Sequence, residues 1–224
     1  MKNVLIIVTN HGTLGTTDEA NGTFSPELTH ALHAFLAAGY RYDLVSIKGG
    51  NAPVYGVEME GDQINSDVFE AQDLATKLAN TSKASDVNPD NYDAVFYPGG
   101  FGLLSDLAED ENVAKLTANL FENGAVIGAV CHGPAGLLPI KLSNGKYLIE
   151  DIMVTGFTRE EEVEYDTINK IPFLLEEALT RRAGQYSKIA PWGEYVVKQD
   201  RVITGQNPAS AGAVGQAMVE RLAQ

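Results

Sequence analysis

One stretch of the sequence decides the fold, and it reads Ala125-Val126-Ile127-Gly128-Ala129-Val130-Cys131-His132-Gly133-Pro134-Ala135-Gly136. It begins as a short apolar run, which is typical of a strand buried on both faces of a sheet. The run stops at Cys131, and the small residues after it allow a sharp turn into a helix with Pro134 in its first turn. This pattern predicts a nucleophile elbow that carries cysteine where the hydrolases carry serine.

A cysteine in that turn is expected at the carboxyl edge of the sheet, beside the positive end of the following helix. Both features favour the thiolate, which is the form that attacks electrophiles. The alternative is a buried cysteine that only fills space, next to a histidine that is simply solvated. Because His132 and several glycines surround Cys131, we interpret this cysteine as a solvent-facing, ionised nucleophile.

The charge of the chain limits the classes of partner. Its 224 residues carry a formal net charge of −14 at pH 7. Such acidity argues against sequence-independent binding of nucleic acid, which requires Lys and Arg to neutralise phosphates. It equally disfavours an anionic membrane surface. A hydrophobic content of 44% is ordinary for a globular protein and sufficient for a core.

The single cysteine excludes an internal disulfide and a thiolate metal cluster. The N-terminal apolar segment is too short for a signal peptide and lacks a cleavage-site pattern. No apolar run approaches the ~20 residues that a membrane-spanning helix needs. We therefore predict a cytoplasmic protein, a location in which a reduced thiol persists.

Strand and helix patterns alternate along the chain. Apolar runs predict strands at 4–8, 42–47, 92–97, 125–130, 152–154, 195–197 and 202–204. Amphipathic or capped segments predict helices at 25–39, 66–80, 111–123, 173–183 and from 207 onward, with Ser25 as the N-cap of the first. Thr158 is expected to cap a further short helix. The alternation predicts one domain, 1–224, with a doubly wound α/β fold: a mostly parallel sheet with helices on both faces.

Several stretches carry a resemblance to a known family. The elbow at 130–135, Val-Cys-His-Gly-Pro-Ala, resembles that of the ThiJ/PfpI superfamily, which has a class I glutamine-amidotransferase-like, flavodoxin-like fold. Three further stretches indicate one branch of this superfamily: 154–158 with Glu162 after it, the pair Pro191-Trp192, and 202–211. Together they look like the branch that holds Hsp31-type chaperones and the glutathione-independent glyoxalases called glyoxalase III. The resemblance covers essentially the whole chain and implies a homodimer.

The resemblance also implies roles for particular residues. Cys131 corresponds to the nucleophile, and His132 to its neighbouring base. Glu162 corresponds to the acid that orients His132, and Glu27 to a carboxyl that hydrogen-bonds the cysteine sulfur. Backbone N–H groups of Gly100 and of the elbow itself, at His132, are expected to form an oxyanion site.

Other interpretations of the acidic and glycine positions stay open at this point. Glu162 lies in an acidic cluster, so it belongs either to the site or to a solvated helix face, and Glu161 is the alternative register. Glu27 is alternatively a plain first-turn carboxylate, and the glycine pair at 99–100 is alternatively a simple turn. Trp192 is either core or pocket wall.

Two departures from the branch concern the substrate and the metal. Phe101 stands where the branch often has histidine. Some members carry a His/Glu metal site near the end of the first helix, but the aligned positions here are Leu36 and Arg41, which cannot bind zinc. His30 and His33 lie three apart on one helix and lack a third ligand, so we predict surface or packing roles and no bound metal.

The predicted site suits a small 2-oxoaldehyde such as methylglyoxal. A thiolate attacks the aldehyde, a group that titrates near neutral pH moves a proton between adjacent carbons, and water releases the 2-hydroxyacid. No redox cofactor is consumed. The resemblance, together with Cys131, His132 and Glu162, implies the leading hypothesis: a cysteine-dependent glyoxalase III of the D-lactate dehydratase (lyase) type. It would convert methylglyoxal to lactate through a Cys131 hemithioacetal, with His132 as the proton shuttle. The alternatives are a stress-inducible holding chaperone or thiol redox sensor, and a protein deglycase or amidase.

Overall fold

The computed structural model describes all residues from 1 to 224. The protein has eleven strands, of which seven form the central sheet. The strands are β1 (Asn3–Val8), β2 (Thr23–Phe24), β3 (Arg41–Ser46), β4 (Val54–Tyr55), β5 (Ser82–Lys83), β6 (Ala94–Tyr97), β7 (Val126–Val130), β8 (Met153–Val154), β9 (Gln185–Tyr186), β10 (Val196–Gln199) and β11 (Val202–Gly205). The α-helices are α1 (Ser25–Ala37), α2 (Gln63–Ala71), α3 (Leu74–Ala79), α4 (Gly102–Ser105), α5 (Glu111–Glu122), α6 (Arg159–Glu164), α7 (Leu175–Arg182) and α8 (Ala211–Leu222).

The central sheet has the strand order β10-β11-β7-β6-β1-β3-β5. Every neighbouring pair is parallel except β10 and β11, which are antiparallel. Two pairs of short strands, β2 with β4 and β8 with β9, lie outside this sheet. The predicted α/β fold with a mostly parallel sheet is therefore confirmed.

Helices pack on both faces of the sheet. Successive side chains of a strand point to opposite faces. On β6, the Phe96 ring packs edge-on against Phe35 of α1 at 5.8 Å between centroids, whereas the next residue, Tyr97, hydrogen-bonds Thr117 of α5 at 2.5 Å. Thus α1 and α5 cover opposite faces. One continuous cluster of buried side chains spans both layers.

The carboxyl ends of β1, β6 and β7 meet at one edge of the sheet, because these strands are adjacent and parallel. The chain leaves them at Thr9, at Pro98 and at Cys131, respectively. Ligand sites of doubly wound sheets form at such an edge. The fold thereby brings the predicted elbow and the predicted glycine pair side by side.

Ser25 is not the N-cap of α1, contrary to the prediction. Phe24 occupies the cap position and makes no side-chain capping bond, and Ser25 is the first helical residue. The Ser25 hydroxyl instead donates to the Asn65 side-chain oxygen at 2.7 Å, inside the protein. A tertiary partner on α2 therefore takes the hydroxyl that a local cap would have used.

The predicted helix at 66–80 is two helices. Asp73 lies between α2 and α3 with a φ of +50°, in the left-handed region. Aspartate tolerates this conformation better than most residues, and it turns the chain so that Leu74 and Leu78 of α3 are buried.

Two other predictions near the site need correction. The segment after the elbow is a five-residue 3-10 turn, Gly133–Leu137, and not an α-helix. The strand expected at 152–154 is β8, which pairs only with β9 and stays outside the central sheet. None of the helices combines the length and apolar character required to cross a membrane.

Candidate active site

The turn at Cys131 has the strained backbone of a nucleophile elbow. The φ of Cys131 is +59°, in the left-handed region. This conformation costs a residue other than glycine roughly 1–2 kcal/mol. The Cys131 N–H donates to the Gly205 carbonyl at 3.0 Å, and its carbonyl accepts from the Phe157 N–H at 2.9 Å. A side chain at position 133 would lie 2.3 Å from the Tyr97 carbonyl oxygen, so only glycine fits there. Backbone strain held in place by its surroundings is a common property of functional sites.

Cys131, His132 and Glu162 form a hydrogen-bonded chain. The sulfur lies 3.2 Å from His132 Nδ1, and His132 Nε2 lies 2.7 Å from Glu162 Oε1. The Thr167 hydroxyl donates to the other oxygen of Glu162. Because the carboxylate accepts, the proton of the neutral imidazole belongs on Nε2, which leaves the Nδ1 lone pair facing the thiol. This contact agrees with the expected role of His132 as the neighbouring base, and the positive φ of Cys131 accompanies it.

The structure of the N-terminal end of α6 shows which of the two carboxyl groups, Glu161 or Glu162, contacts His132. A capping box fixes Glu161, whose carboxylate accepts from both the N–H and the hydroxyl of Thr158 at 2.9 Å. Its other oxygen accepts from Trp192 N–H at 2.9 Å and from Asn207 Nδ2 at 2.8 Å. The next residue, Glu162, then points at His132. Both carboxyl groups are buried, so the solvated-face interpretation is wrong for them.

Glu27 lies beneath the sulfur and is completely buried. Its carboxyl faces Cys131 and the Gly99 amide, but neither oxygen meets a partner at full hydrogen-bonding geometry. Burial raises the pKa of Glu27 to about 8, so the carboxyl is protonated at neutral pH. A side chain at position 99 would come within 2.1 Å of Glu27 Oε2, which explains the first glycine of the pair. Glu27 is therefore no ordinary first-turn carboxylate.

The Cys131 thiol is not the solvent-facing thiolate that the sequence suggested. Only 4% of the residue is exposed. Burial, followed by the neighbouring Glu27, raises the pKa of Cys131 well above its usual range. The 3-10 turn that replaces the expected helix supplies no full helix dipole to offset this. The resting thiol is protonated, so its activation depends on a base, and His132 Nδ1 is in contact with it.

Two backbone amides beside the sulfur have no acceptor within the chain. These are the N–H groups of Gly100 and His132, the predicted oxyanion donors. Gly100 has a φ of +114°, and a side chain there would lie 2.1 Å from the Gly22 carbonyl. The next amide, of Phe101, donates to the Asn21 side-chain oxygen at 3.1 Å. This packing holds the glycine loop against the loop at Asn21 and Gly22.

Phe101 and Phe157 enclose the His132 ring. The ring centroids lie 4.3 Å and 4.5 Å from that of the imidazole, and His132 is 1% exposed. The phenylalanine that departs from the branch pattern therefore keeps water away from the imidazole without offering a second titratable group. The Cys131–His132 pair works in a desolvated setting, where its electrostatic interactions are strong.

A cavity of about 410 Å³ opens above Cys131 and His132. Trp192 lines it, which identifies this residue as pocket wall. The cavity also includes His30 and Asp62, whose side chains are paired at 2.8 Å. His33 is exposed and lies outside it. No set of three or more His, Cys, Asp or Glu side chains is arranged to hold a metal ion.

Sequence reasoning missed three contributors to the site: Tyr55, Asp62 and Thr167. Tyr55 and Asp62 reach the cavity from the loop region between β3 and α2, and Thr167 follows α6. Tyr55 lies in the two-residue strand β4 and Asp62 is the N-cap of α2, but none of the three residues belongs to a motif that marks a site. The structure brings together Cys131, His132, Glu162, Glu27 and Gly100, and their catalytic roles stay predictions.

Replacing Glu27 with glutamine is expected to make the protein less sensitive to alkaline pH. The folded-state pKa of about 8 exceeds the ordinary value of 4.5, so the contribution of this carboxyl to stability is complete below the ordinary value and is lost as the pH rises through 8. A difference of one pH unit between the folded and unfolded pKa is worth about 1.4 kcal/mol, so ionisation costs the native state a few kcal/mol. Denaturant unfolding at about pH 6 and about pH 9 measures the effect.

The control for this experiment is Glu109→Gln, an exposed carboxyl that makes no ion pair. The wild type and this control are expected to lose stability between the two pH values, and Glu27→Gln is expected to lose much less. Equal losses in all three proteins would contradict a protonated, buried Glu27.

Comparison with known proteins places the chain in a family. The DJ-1/PfpI family matches residues 19–221. The chain is 30% identical to the glutathione-independent glyoxalase HSP31 of Saccharomyces cerevisiae, over 99% of this chain and 98% of that one. It superposes on the 24 kDa rapid encystment protein of Francisella tularensis with a TM-score of 0.93 at 34% identity, over 99% of both chains. For glyoxalase III of Candida albicans the TM-score is 0.85 at 27% identity, over 98% and 97%.

The chain therefore belongs to the DJ-1/PfpI family, also written ThiJ/PfpI, and the predicted resemblance is confirmed. Its full-length relatives at about 30% identity include proteins named as glutathione-independent glyoxalases.

Proposed function

We propose that this protein is a glutathione-independent glyoxalase that converts methylglyoxal and water into lactate, as a lyase of the D-lactate dehydratase type. The observation that carries the proposal is the chain from the Cys131 sulfur through His132 to Glu162, with protonated Glu27 beneath the sulfur. This arrangement supplies a nucleophile, a proton carrier and a hydrogen-bond donor to sulfur. The names of the full-length relatives support the same reaction.

The first step is addition of the sulfur to the aldehyde. His132 Nδ1 takes the thiol proton, the S–C1 bond forms, and the C1 oxygen receives that proton to give a hemithioacetal. The free amides of Gly100 and His132 stabilise the negative charge that develops on this oxygen. While the sulfur is anionic, the protonated Glu27 carboxyl donates a hydrogen bond to it.

The second step moves hydrogen from C1 to C2. His132 Nδ1 removes the C1 proton to give an enediolate and returns the proton to C2, while the C1 hydroxyl proton passes to the C2 oxygen. C1 is thereby oxidised and C2 reduced, and the product is a 2-hydroxyacyl thioester of Cys131. Water then cleaves the C–S bond, which releases the 2-hydroxyacid and restores the thiol. No electron leaves or enters, so no redox cofactor is consumed.

The test is lactate formation from methylglyoxal in the absence of glutathione. We expect multiple turnovers by the purified protein, measured separately for D- and L-lactate with stereospecific dehydrogenases. Omitting all added thiols is the informative condition, because a thiol-dependent glyoxalase is inactive there. Lactate formation no faster than that with Cys131→Ser would refute the proposal.

The burial of Cys131 bears on the alternatives. Thiol sensors rely on exposed, low-pKa cysteines, and the raised pKa and 4% exposure of Cys131 oppose that role. A holding chaperone needs exposed apolar surface, and Val163, Tyr165 and Trp192 provide some, so this stays the second candidate. The homodimer, the cytoplasmic location and the absence of nucleic-acid partners stay predictions.

A further inference from the structure

The cavity above Cys131 is larger than the proposed function requires. Methylglyoxal carries only a methyl group beside its two carbonyl groups. The cavity has a volume of about 410 Å³, which falls in the range of ~300–1000 Å³ typical of sites for drug-sized ligands. Most of its lining residues are hydrophobic or aromatic. A three-carbon substrate would leave most of this apolar volume unfilled.

One side of the cavity is a continuous aromatic wall that begins at His132. The Phe157 and Trp192 rings meet edge-to-face at 5.7 Å between centroids. The Phe101 and Tyr165 rings stack at 6.0 Å, and Tyr165 lies 6.2 Å from Trp192. A planar ring attached to the reacting carbonyl would find both stacking and edge-on partners along this wall, and such aromatic pairs contribute ~0.5–1.5 kcal/mol beyond area burial.

At the outer part of this wall, Trp192 combines a strained backbone with an exposed side chain. Trp192 has a φ of +64°, a left-handed conformation that bulky residues avoid, although the side chain is 42% exposed. Its backbone N–H is bound by Glu161, and its indole N–H donates to Glu164 at 2.5 Å. Two carboxylates, of Glu161 and Glu164, thus hold the strained Trp192 at the mouth of the cavity. Strain and exposed aromatic surface at one place are expected where a ligand binds.

A second group of residues that line the cavity is also largely apolar. Phe24 and Tyr55 lie with ring centroids 5.0 Å apart, and Pro26 and Met59 belong to the same group. Met59 is 42% exposed in the loop between β4 and α2. The cavity therefore has two apolar sides, a reactive sulfur at its base and an open mouth, which suits a flat apolar substituent.

One polar pair, His30 and Asp62, lines the cavity about one helical turn beyond Glu27 along α1, and we call this part its polar end. His30 follows Glu27 by three residues on α1, so it lies on the same face of the helix and about 4.5 Å further along the axis. Its Nε2 contacts both oxygens of Asp62 at 2.8 and 2.9 Å. Asp62 is itself fixed, because it caps α2 by accepting from the Asn65 N–H at 3.0 Å. His30 Nδ1 has no partner within the chain, so the oriented ring offers one free nitrogen.

The chemistry of that nitrogen selects its ligand. In neutral His30 with Nε2–H on Asp62, Nδ1 accepts a hydrogen bond, and in the imidazolium form it donates one. A hydroxyl group can both donate and accept, so it matches either form. A carboxylate on the ligand would be repelled by the negative charge of Asp62. The exposed carboxyl groups of Glu58 and Glu60, on either side of Met59, would add to this repulsion. A hydroxyl is therefore the group favoured at this end.

We propose that the cavity selects aryl 2-oxoaldehydes, whose ring lies between the two apolar sides and whose distal hydroxyl is bound by His30. The inference rests on the proposed function and names its substrate class. The reaction is unchanged: the aryl 2-oxoaldehyde takes up one water, C1 is oxidised as C2 is reduced, and an aryl 2-hydroxyacid leaves. Trp192 and His30 determine specificity, and neither takes part in the proton transfers.

The experiment compares methylglyoxal, phenylglyoxal and 4-hydroxyphenylglyoxal as substrates. Lactate, mandelate and 4-hydroxymandelate are separated by chromatography, and kcat/KM is determined for each. We expect the wild type to prefer phenylglyoxal over methylglyoxal by about tenfold or more, since one ring placed in an apolar pocket discriminates on that scale. A further gain of a few-fold is expected for the hydroxyl.

Two variants, each with a matched control, assign the effects. Trp192→Ala is expected to lower the preference for phenylglyoxal over methylglyoxal by about tenfold, whereas Val163→Ala, which removes an exposed apolar group outside the cavity, keeps it. His30→Ala is expected to abolish the preference for the hydroxyl, whereas His33→Ala keeps it. Thermal unfolding of each variant verifies that it is folded.

The outcomes separate this inference from the proposed function. If methylglyoxal is turned over and phenylglyoxal is turned over no faster, the aryl substrate class is wrong and the glyoxalase function stands. The same holds if Trp192→Ala lowers kcat/KM equally for both substrates. If a folded wild type turns over none of the three aldehydes, the proposed function and the substrate class are both wrong.

Discussion

Replacing Cys131 with serine is expected to lower the rate of lactate formation from methylglyoxal by at least about a thousandfold. Cysteine is intrinsically the stronger nucleophile, and even a protonated thiol yields its proton to a base more easily than a hydroxyl does. Burial raises the pKa of Cys131, so the thiol needs His132 as a base before it can attack. The rate of lactate release under saturating methylglyoxal measures the effect.

The comparison is clean because Cys131 is the only cysteine in the chain, so the variant contains no thiol at all. Serine is nearly isosteric, and unfolding curves that coincide with those of the wild type would show that the fold persists. Cys131→Ala serves as the second variant and should be equally inactive. If Cys131→Ser retained more than about a tenth of the wild-type rate, covalent catalysis by this residue would be ruled out.

Replacing Glu162 with glutamine is expected to lower kcat by about a hundredfold to ten-thousandfold. The carboxylate holds the proton of His132 on Nε2 through a 2.7 Å contact and so leaves Nδ1 free for the sulfur. A glutamine amide can turn its NH₂ group toward Nε2, which moves the imidazole proton to Nδ1 and blocks the base. Loss of the correct tautomer in a comparable Asp–His pair costs ~10⁴ in rate.

The control for this variant is Glu160→Gln, which changes an exposed carboxyl on the same helix that pairs with Lys188 at 2.7 Å. This change should leave kcat within about twofold, since a surface ion pair contributes little. Methylglyoxal binding is expected to change little in Glu162→Gln, so the loss should fall on kcat. A loss below about threefold would mean that Glu162 does not set the tautomer of His132.

The parts of the fold that the sequence predicted best are those with a dense local signal. The apolar run before Cys131 became β7, with all five residues buried. Thr158 capped α6 through a bond between neighbours in the chain, and the capping box at Glu161 turned the next carboxyl toward His132. Short-range chemistry was sufficient in these places.

Two of the wrong predictions, for Ser25 and for the state of Cys131, concern contacts between residues far apart in the chain. The Ser25 hydroxyl binds Asn65, forty positions away in the chain, and no pattern within α1 reveals that partner. The state of Cys131 depends on the burial that Glu27 and the aromatic rings impose together. Motifs identified which side chains assemble, but burial decided their protonation, and burial is a property of the whole molecule.

The polar end of the cavity shows the same limit. His30 and His33 have the same local spacing and the same helix, yet one contacts Asp62 and the other is exposed. The difference arises from the loop that brings Asp62 over α1, which has no sequence pattern of its own. Sequence reasoning had no means to identify the cavity that His30 and Asp62 line.

The fixed orientation of the His132 ring has a consequence for the stereochemistry of the product. Because two phenylalanine rings prevent the imidazole from turning over and Glu162 fixes its far nitrogen, a single atom must both abstract and redeliver hydrogen. That atom approaches the planar enediolate from one side only. The proposed chemistry would then yield a single enantiomer, with part of the aldehyde hydrogen carried over into the product before solvent can exchange it.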